Sequence, residues 1–168
     1  MKPRHVVVAL VLVVAAVAVQ TTLFAKVTFF DVAPQGVIVV LIAVARWMDP
    51  EPAVLLGFTA GFVLDLLGGA PLGLWAFVMT TVAYFTVRLA DRASDSLLVL
   101  AAGVFGVTLG AHLLFALLGT LFGQQTLSDT SIYSKSVLAS TYNVALAAPM
   151  LPLVTRALGQ GPRRGWDL

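Results

Sequence analysis

Long apolar runs, separated only by short polar connections, restrict the folds that this chain can adopt. The first run, Val6 to Phe24, holds 19 residues without a charged side chain, and comparable runs recur along most of the chain. Charged residues make up 11% of the 168 residues, whereas a typical soluble domain has about 25%. Because so few charges cannot cover a water-facing surface, the sequence predicts an integral membrane protein.

The lengths of the runs predict an all-α fold with six transmembrane helices, since about 20 helical residues cross a bilayer. We expect one domain, residues 1–158, and a disordered cytoplasmic tail, residues 159–168. The predicted helices cover residues 6–24, 32–47, 53–67, 72–89, 97–122 and 136–155. The third is short for a span, which leaves open an alternative in which Ala53 to Leu89 form two re-entrant half-helices.

The distribution of basic residues predicts the orientation of the six helices. Cytoplasmic connections carry an excess of Lys and Arg. In the six-helix arrangement eight basic residues fall on one side and two on the other: Lys2, Arg4, Arg46, Arg88, Arg92, Arg156, Arg163 and Arg164 against Lys26 and Lys135. The sequence therefore predicts a multi-pass protein of the cytoplasmic membrane with both termini inside.

Two glycines and a carboxylate recur every four residues in the third predicted helix: Gly57, Gly61 and Asp65. On a helix they share a strip roughly 80° wide. An ionisable group within an apolar span costs about 2.5–3.5 kcal/mol and is normally turned inward. A carboxylate near a helix C-terminus also opposes the dipole, so Asp65 needs a donor or a neutral state.

Two interpretations of this strip stay open. Asp65 could lie at the outer interface beside the Gly68-Gly69 break, or the strip could seat a partner helix or the neighbouring helices of the same chain. The candidate residues for partner binding or helix packing are Gly57, Gly61, Asp65 and Gly73. For the second four-spaced pair, Gly106 and Gly110, we predict packing within the chain.

The other polar groups predicted within the membrane are Gln20, His112 and Asn143. Catalysis could pair Asp65 with His112, but no serine, cysteine or second carboxylate accompanies them at a recognisable spacing. A metal site would need three or four ligands. The basic residues are scattered singly and do not form a nucleic-acid patch. We therefore predict no enzyme activity, no cofactor and no nucleic-acid partner.

The stretch from Gly57 to Trp75, Gly-Phe-Thr-Ala-Gly-Phe-Val-Leu-Asp-Leu-Leu-Gly-Gly-Ala-Pro-Leu-Gly-Leu-Trp, closely resembles the rod shape-determining protein family MreD. Further support comes from Gln-Thr-Thr-Leu-Phe at residues 20–24 and from Pro34, which opens the second helix. The resemblance covers most of the chain to about Leu89. Family members commonly have an acidic residue after this proline, where this chain has Gln35.

This resemblance implies a non-enzymatic membrane scaffold of the elongasome, the machinery of peptidoglycan synthesis that sets cell shape. It implies binding to MreC and, through MreC, a link between MreB filaments and the synthase formed by RodA and a class B penicillin-binding protein. The family is also distantly similar to the substrate-binding membrane subunits of energy-coupling-factor vitamin transporters. A vitamin-binding subunit is therefore the alternative function.

Overall fold

The structure is a computed structural model, and it describes residues 3–24, 32–91, 96–124, 126–127 and 131–159. For residues 3–5 and 23–24 it describes the backbone alone. Six α-helices and one short π-helical segment make up the regular structure of these residues. The α-helices are α1 (Pro3–Val19), α2 (Gly36–Ala45), α3 (Pro50–Leu67), α4 (Leu74–Ala90), α5 (Leu97–Leu121) and α6 (Ile132–Leu158), and the π-helical segment is Gln20–Phe24.

Helix α2 is the centre of the molecule. All ten of its residues are buried, and it contacts each of the other five α-helices. Its sequence, Gly-Val-Ile-Val-Val-Leu-Ile-Ala-Val-Ala, has no polar side chain on any face, as expected of a helix that is enclosed on all sides. At about 15 Å, it is also half as long as a hydrocarbon core is thick.

Helices α3 and α4 form an antiparallel hairpin with the most extensive helix–helix contact in the described residues. Two prolines in its first turn start α3, where proline costs least, and α3 ends at Gly68, whose backbone is extended. With 18 and 17 residues, the two helices are about 27 and 26 Å long. The two helices of the hairpin are therefore nearly equal in length.

Helices α5 and α6 are the longest, with 25 and 27 residues. Ser96 is the N-cap of α5, and its side chain accepts a hydrogen bond from the Val99 N–H at 3.3 Å. Helix α6 continues through Pro149 and Pro152 and ends at Gly159, which has a positive φ of 65°. In the described residues, α3, α5 and α6 are long and apolar enough to cross a membrane, while Val6–Thr22, α2 and α4 are shorter apolar helices.

The predicted helix bounds are least accurate for the second and sixth helices. Helix α2 begins at Gly36 rather than residue 32, because Pro34 disfavours helical backbone at the residue before it. Helix α6 extends beyond the predicted 136–155 at both ends, and at its C-terminus it continues to Gly159, whose left-handed backbone ends it. Of the predicted tail, 159–168, all but Gly159 lies outside the described residues.

Candidate functional site

Asp65 is buried in the α3–α4 hairpin, with 3% of its surface exposed. Its Oδ2 accepts hydrogen bonds from the N–H groups of Gly73 at 2.9 Å and Ala76 at 3.1 Å. Its Oδ1 accepts one from the N–H of Trp75 at 2.9 Å. The expectation that Asp65 needs a donor is confirmed, and the donors are three backbone groups at the N-terminus of α4.

This arrangement makes Asp65 the N-cap side chain of a helix to which it does not belong. Gly73 occupies the N-cap position of α4 and has no side chain of its own. Its φ of +93° lies in the left-handed region that favours glycine. The carboxylate lies at the positive end of the α4 dipole, where a negative charge is stabilised. The dipole of α4 thus offsets the unfavourable position of Asp65 at the end of α3.

The two glycines of the strip bring the backbones of α3 and α4 together. A Cβ atom built on Gly57 would lie 2.5 Å from the carbonyl oxygen of Met79 and 2.9 Å from the Cβ of Ala83. One built on Gly61 would lie 2.5 Å from the Cα of Ala76, and its nearest atom would be the carbonyl oxygen of Trp75. Of the two occupants that the sequence left open, the neighbouring helix of the same chain fills this groove.

A second polar group of residues supports the non-helical segment that precedes α2. The side-chain N–H of Gln20 donates to the carbonyl of Pro34 at 3.1 Å. The Oδ1 of Asn143 accepts from the N–H of Gln35 at 2.9 Å. Non-helical backbone is tolerated within the hydrocarbon region only where other parts of the protein form hydrogen bonds with its polar groups. Gln20 and Asn143 do this for the start of α2.

Asn143 also connects this segment to α5. It is fully buried near the middle of α6, and its Nδ2 lies 3.5 Å from the hydroxyl oxygen of Thr108, a long hydrogen bond. The Nδ1 of His112 bonds to the carbonyl of Thr108 at 2.9 Å. His112 is thus bonded within its own helix, and the carboxylate of Asp65 is bonded to α4. The hydrogen bonds of these two side chains do not join them as a catalytic pair.

Sequence reasoning missed two members of this polar group. Thr108 is completely buried, and it lies one helical turn before His112, a spacing that could have indicated the pair. Gln35 takes part through its backbone N–H. No side-chain pattern in a sequence reveals a bond of that kind.

The prediction for Gly106 and Gly110 was wrong. A Cβ atom built on either glycine would meet no atom within 4 Å among the neighbouring groups of the structure. Both glycines instead line an open apolar groove between α4 and α5. The two four-spaced glycine pairs therefore differ: Gly57 and Gly61 are covered by α4, and Gly106 and Gly110 are open.

Comparisons with known proteins identify the family of the chain. Neither the curated proteins nor the solved structures gave a match. The family model described as rod shape-determining protein MreD matches residues 3–158 of the 168 residues. That match covers all six helices of the structure, whose long apolar stretches are those of a membrane protein. The chain belongs to the MreD family of rod shape-determining proteins.

Proposed function

We propose that this chain is a non-enzymatic scaffold of the cell-elongation machinery, which binds MreC in the cytoplasmic membrane. Through MreC it links MreB filaments to the synthase formed by RodA and a class B penicillin-binding protein. The observation that carries the proposal is the family match across residues 3–158, because membership of this family implies a role in rod-shape determination.

The bonding of the buried polar side chains supports a scaffold rather than an enzyme. Asp65 caps α4, Gln20 and Asn143 hold the segment before α2, and His112 bonds to its own helix. The first three of these side chains join different parts of the bundle. A bundle joined in this way is suited to holding other membrane proteins in position.

The proposal includes six transmembrane spans in one domain, with both termini in the cytoplasm. Helices α1, α2 and α4 are shorter than α5 and α6, and α1 is continued by the π-helical segment Gln20–Phe24. The eight-to-two distribution of basic residues supports this orientation.

We place the contact with MreC on the hairpin of α3 and α4. The face of α3 next to the glycine strip exposes Leu55, Phe58, Phe62 and Leu66, which are 61, 51, 41 and 60% exposed. The rings of Phe58 and Phe62 stack with their centroids 6.0 Å apart, which gives this face a firm aromatic ridge. In this proposal Gly57, Gly61, Asp65 and Gly73 act on MreC indirectly, because they fix the helix that presents the ridge.

The test is co-purification of MreC with the tagged chain after both are produced in one membrane. We expect the unaltered chain to retain MreC together with the synthase proteins. Gly61→Leu should lose about tenfold in captured MreC, since its side chain would displace α4. Gly69→Leu is the matched control, because a Cβ there meets nothing within 4 Å. The amount of each variant in the membrane fraction shows that insertion is intact.

Two results would contradict the proposal. Recovery of ATPase subunits or of a bound vitamin in place of MreC would identify a transporter subunit. Equal MreC capture by Gly61→Leu and Gly69→Leu at equal membrane levels would show that the α3–α4 hairpin does not form the contact with MreC.

A further inference from the structure

The hairpin of α3 and α4 ends in a tip without a polar side chain. This hairpin tip comprises the last two residues of α3 and the connection to α4, residues 66–73, with the sequence Leu-Leu-Gly-Gly-Ala-Pro-Leu-Gly. Leu66, Leu67 and Leu72 are 60, 62 and 68% exposed. The neighbouring carboxylate of Asp65 is buried by its bonds to α4. Because connections that lie in water are normally polar, an exposed apolar tip indicates contact with a membrane or with protein.

The connection between α5 and α6 has the opposite composition. The rings of Trp75 and Phe115 lie 4.4 Å apart, so the start of α4 lies beside the later turns of α5. The α5–α6 connection therefore follows on the same side of the bundle as the hairpin tip. Residues 122–131 include seven polar side chains, whereas the hairpin tip has none. The sequences of the two connections suit water in one case and an apolar surrounding in the other.

The lengths of α3 and α4 indicate the depth of the hairpin tip in a bilayer. Glu51 and Asp91 are exposed charged residues at the other end of the hairpin, where they belong in water. From Glu51 to Leu67 the helix rises about 24 Å, and from Asp91 back to Leu74 about 26 Å, at 1.5 Å per residue. A hydrocarbon core is about 30 Å thick. The two helices thus end about 4–6 Å before its far boundary, and the connection between them lies at that boundary.

The backbone of the hairpin tip limits how deep it can lie. The N–H groups of Gly69, Ala70 and Leu72 have no hydrogen-bond acceptor within the described residues, whereas those of Gly68 and Gly73 are bonded within the hairpin. Unpaired backbone groups that face lipid do not occur in the hydrocarbon region. The three N–H groups therefore need acceptors outside the bundle, and such acceptors begin at the level of the lipid head groups.

We propose that the hairpin tip is an interfacial anchor, which binds the surface of one lipid leaflet. Leu66, Leu67 and Leu72 lie among the acyl chains, as the apolar faces of interfacial helices do. The N–H groups of Gly69 and Ala70 donate to ester or phosphate oxygens of the lipids. This proposal depends on the helix lengths and on the residues of the tip. It is independent of the scaffold function and of the orientation in the membrane.

Electron paramagnetic resonance of spin-labelled chains in phosphatidylcholine vesicles tests the proposal. The chain has no cysteine, so a label on Leu72→Cys or Gly69→Cys reports on the hairpin tip alone. A Cβ atom on Gly69 meets nothing within 4 Å, so the label fits there. Power saturation measures how often the label collides with oxygen, which concentrates in the hydrocarbon, and with a nickel chelate, which stays in water.

Two further single cysteines serve as references for depth. Phe58→Cys replaces a side chain that is 51% exposed and lies about 14 Å from Leu67 along α3, so it reports on the hydrocarbon interior. Ser134→Cys is exposed at the start of α6, on the side of the hairpin tip, and reports on water. We expect an oxygen-to-nickel ratio at Leu72→Cys and Gly69→Cys that lies between these two references.

Three results would overturn the proposal. A ratio equal to that of Ser134→Cys would mean that the hairpin tip lies in water. A ratio equal to that of Phe58→Cys would place it deeper than its unpaired N–H groups allow. Few collisions with either reagent would mean that protein covers the tip, such as a second copy of the chain. Each of these results would leave the capture of MreC, and so the scaffold function, to be judged separately.

Discussion

Asp65 shows how a single charged residue can be stable within an apolar chain. Its two oxygens take three backbone donors that α4 would otherwise leave unsatisfied at its first turn. Gln20 and Asn143 do the same for the backbone before α2. At each of these positions a polar side chain satisfies the end of a different helix from its own.

We expect Asp65→Ala to lower the free energy of unfolding by at least about 2 kcal/mol, because it leaves buried donors unpaired. Asp65→Asn keeps one acceptor oxygen and should lose less. Thermal unfolding in detergent, followed by circular dichroism, measures both. The control is Asp91→Ala, an exposed carboxylate at the opposite end of α4, which should change stability by no more than about 0.5 kcal/mol. Equal losses for Asp65→Ala and Asp91→Ala would contradict the capping role.

The need of these side chains for inward partners could be predicted from the sequence, but the partners themselves could not. A carboxylate, two amides and an imidazole in apolar runs each require a bonded neighbour. Asn143 finds one in the N–H of Gln35, 108 residues earlier in the chain. That choice depends on the relative depth and rotation of two helices, which the periodicity of either helix leaves undetermined.

At the level of helices, the two glycine pairs show that spacing alone does not fix a role. Gly57 and Gly61 lie against the backbone of α4, whereas Gly106 and Gly110 lie in the groove between α4 and α5 with open space above them. Their sequence signals are the same, four residues apart in an apolar helix. The difference arises from which helix covers which face, and that is a property of the assembled bundle.

We therefore expect opposite effects from one substitution at the two sites. Gly61→Ala should lower the free energy of unfolding by about 1–3 kcal/mol, because the added methyl group overlaps the α4 backbone. Gly106→Ala should leave it unchanged or raise it by up to about 1 kcal/mol, since alanine is the better helix former. Thermal unfolding of the two variants, measured side by side with the unaltered chain, tests whether the changes in stability are opposite. Similar losses at both positions would mean that the α4–α5 groove is closed in the membrane.

In the whole molecule, the short helix α2 is enclosed by the longer helices. Five helices contact it, and none of its residues is exposed. A purely apolar run is as compatible with a helix that faces lipid as with a helix that is enclosed by protein. The sequence could therefore indicate that α2 exists but not that it is central. Its late start after Pro34 also depends on Gln20 and Asn143, which lie on other helices.

The chain has no cysteine, so single cysteines can report the proposed orientation without further changes. Ser134, at the start of α6, and Glu51, at the start of α3, are both exposed. A membrane-impermeant maleimide should label Ser134→Cys in intact cells, and Glu51→Cys only after the membrane is permeabilised. Labelling of Glu51→Cys in intact cells would contradict the orientation with both termini inside.

The cap at Asp65 also bears on how the chain enters the membrane during synthesis. The three donors of Asp65 follow it by only 8, 10 and 11 residues. A nascent chain that has been elongated as far as Ala76 already contains all of them. The carboxylate therefore need not wait for the later helices before it is hydrogen-bonded, because Asp65 and its three donors are synthesised within 11 residues of one another.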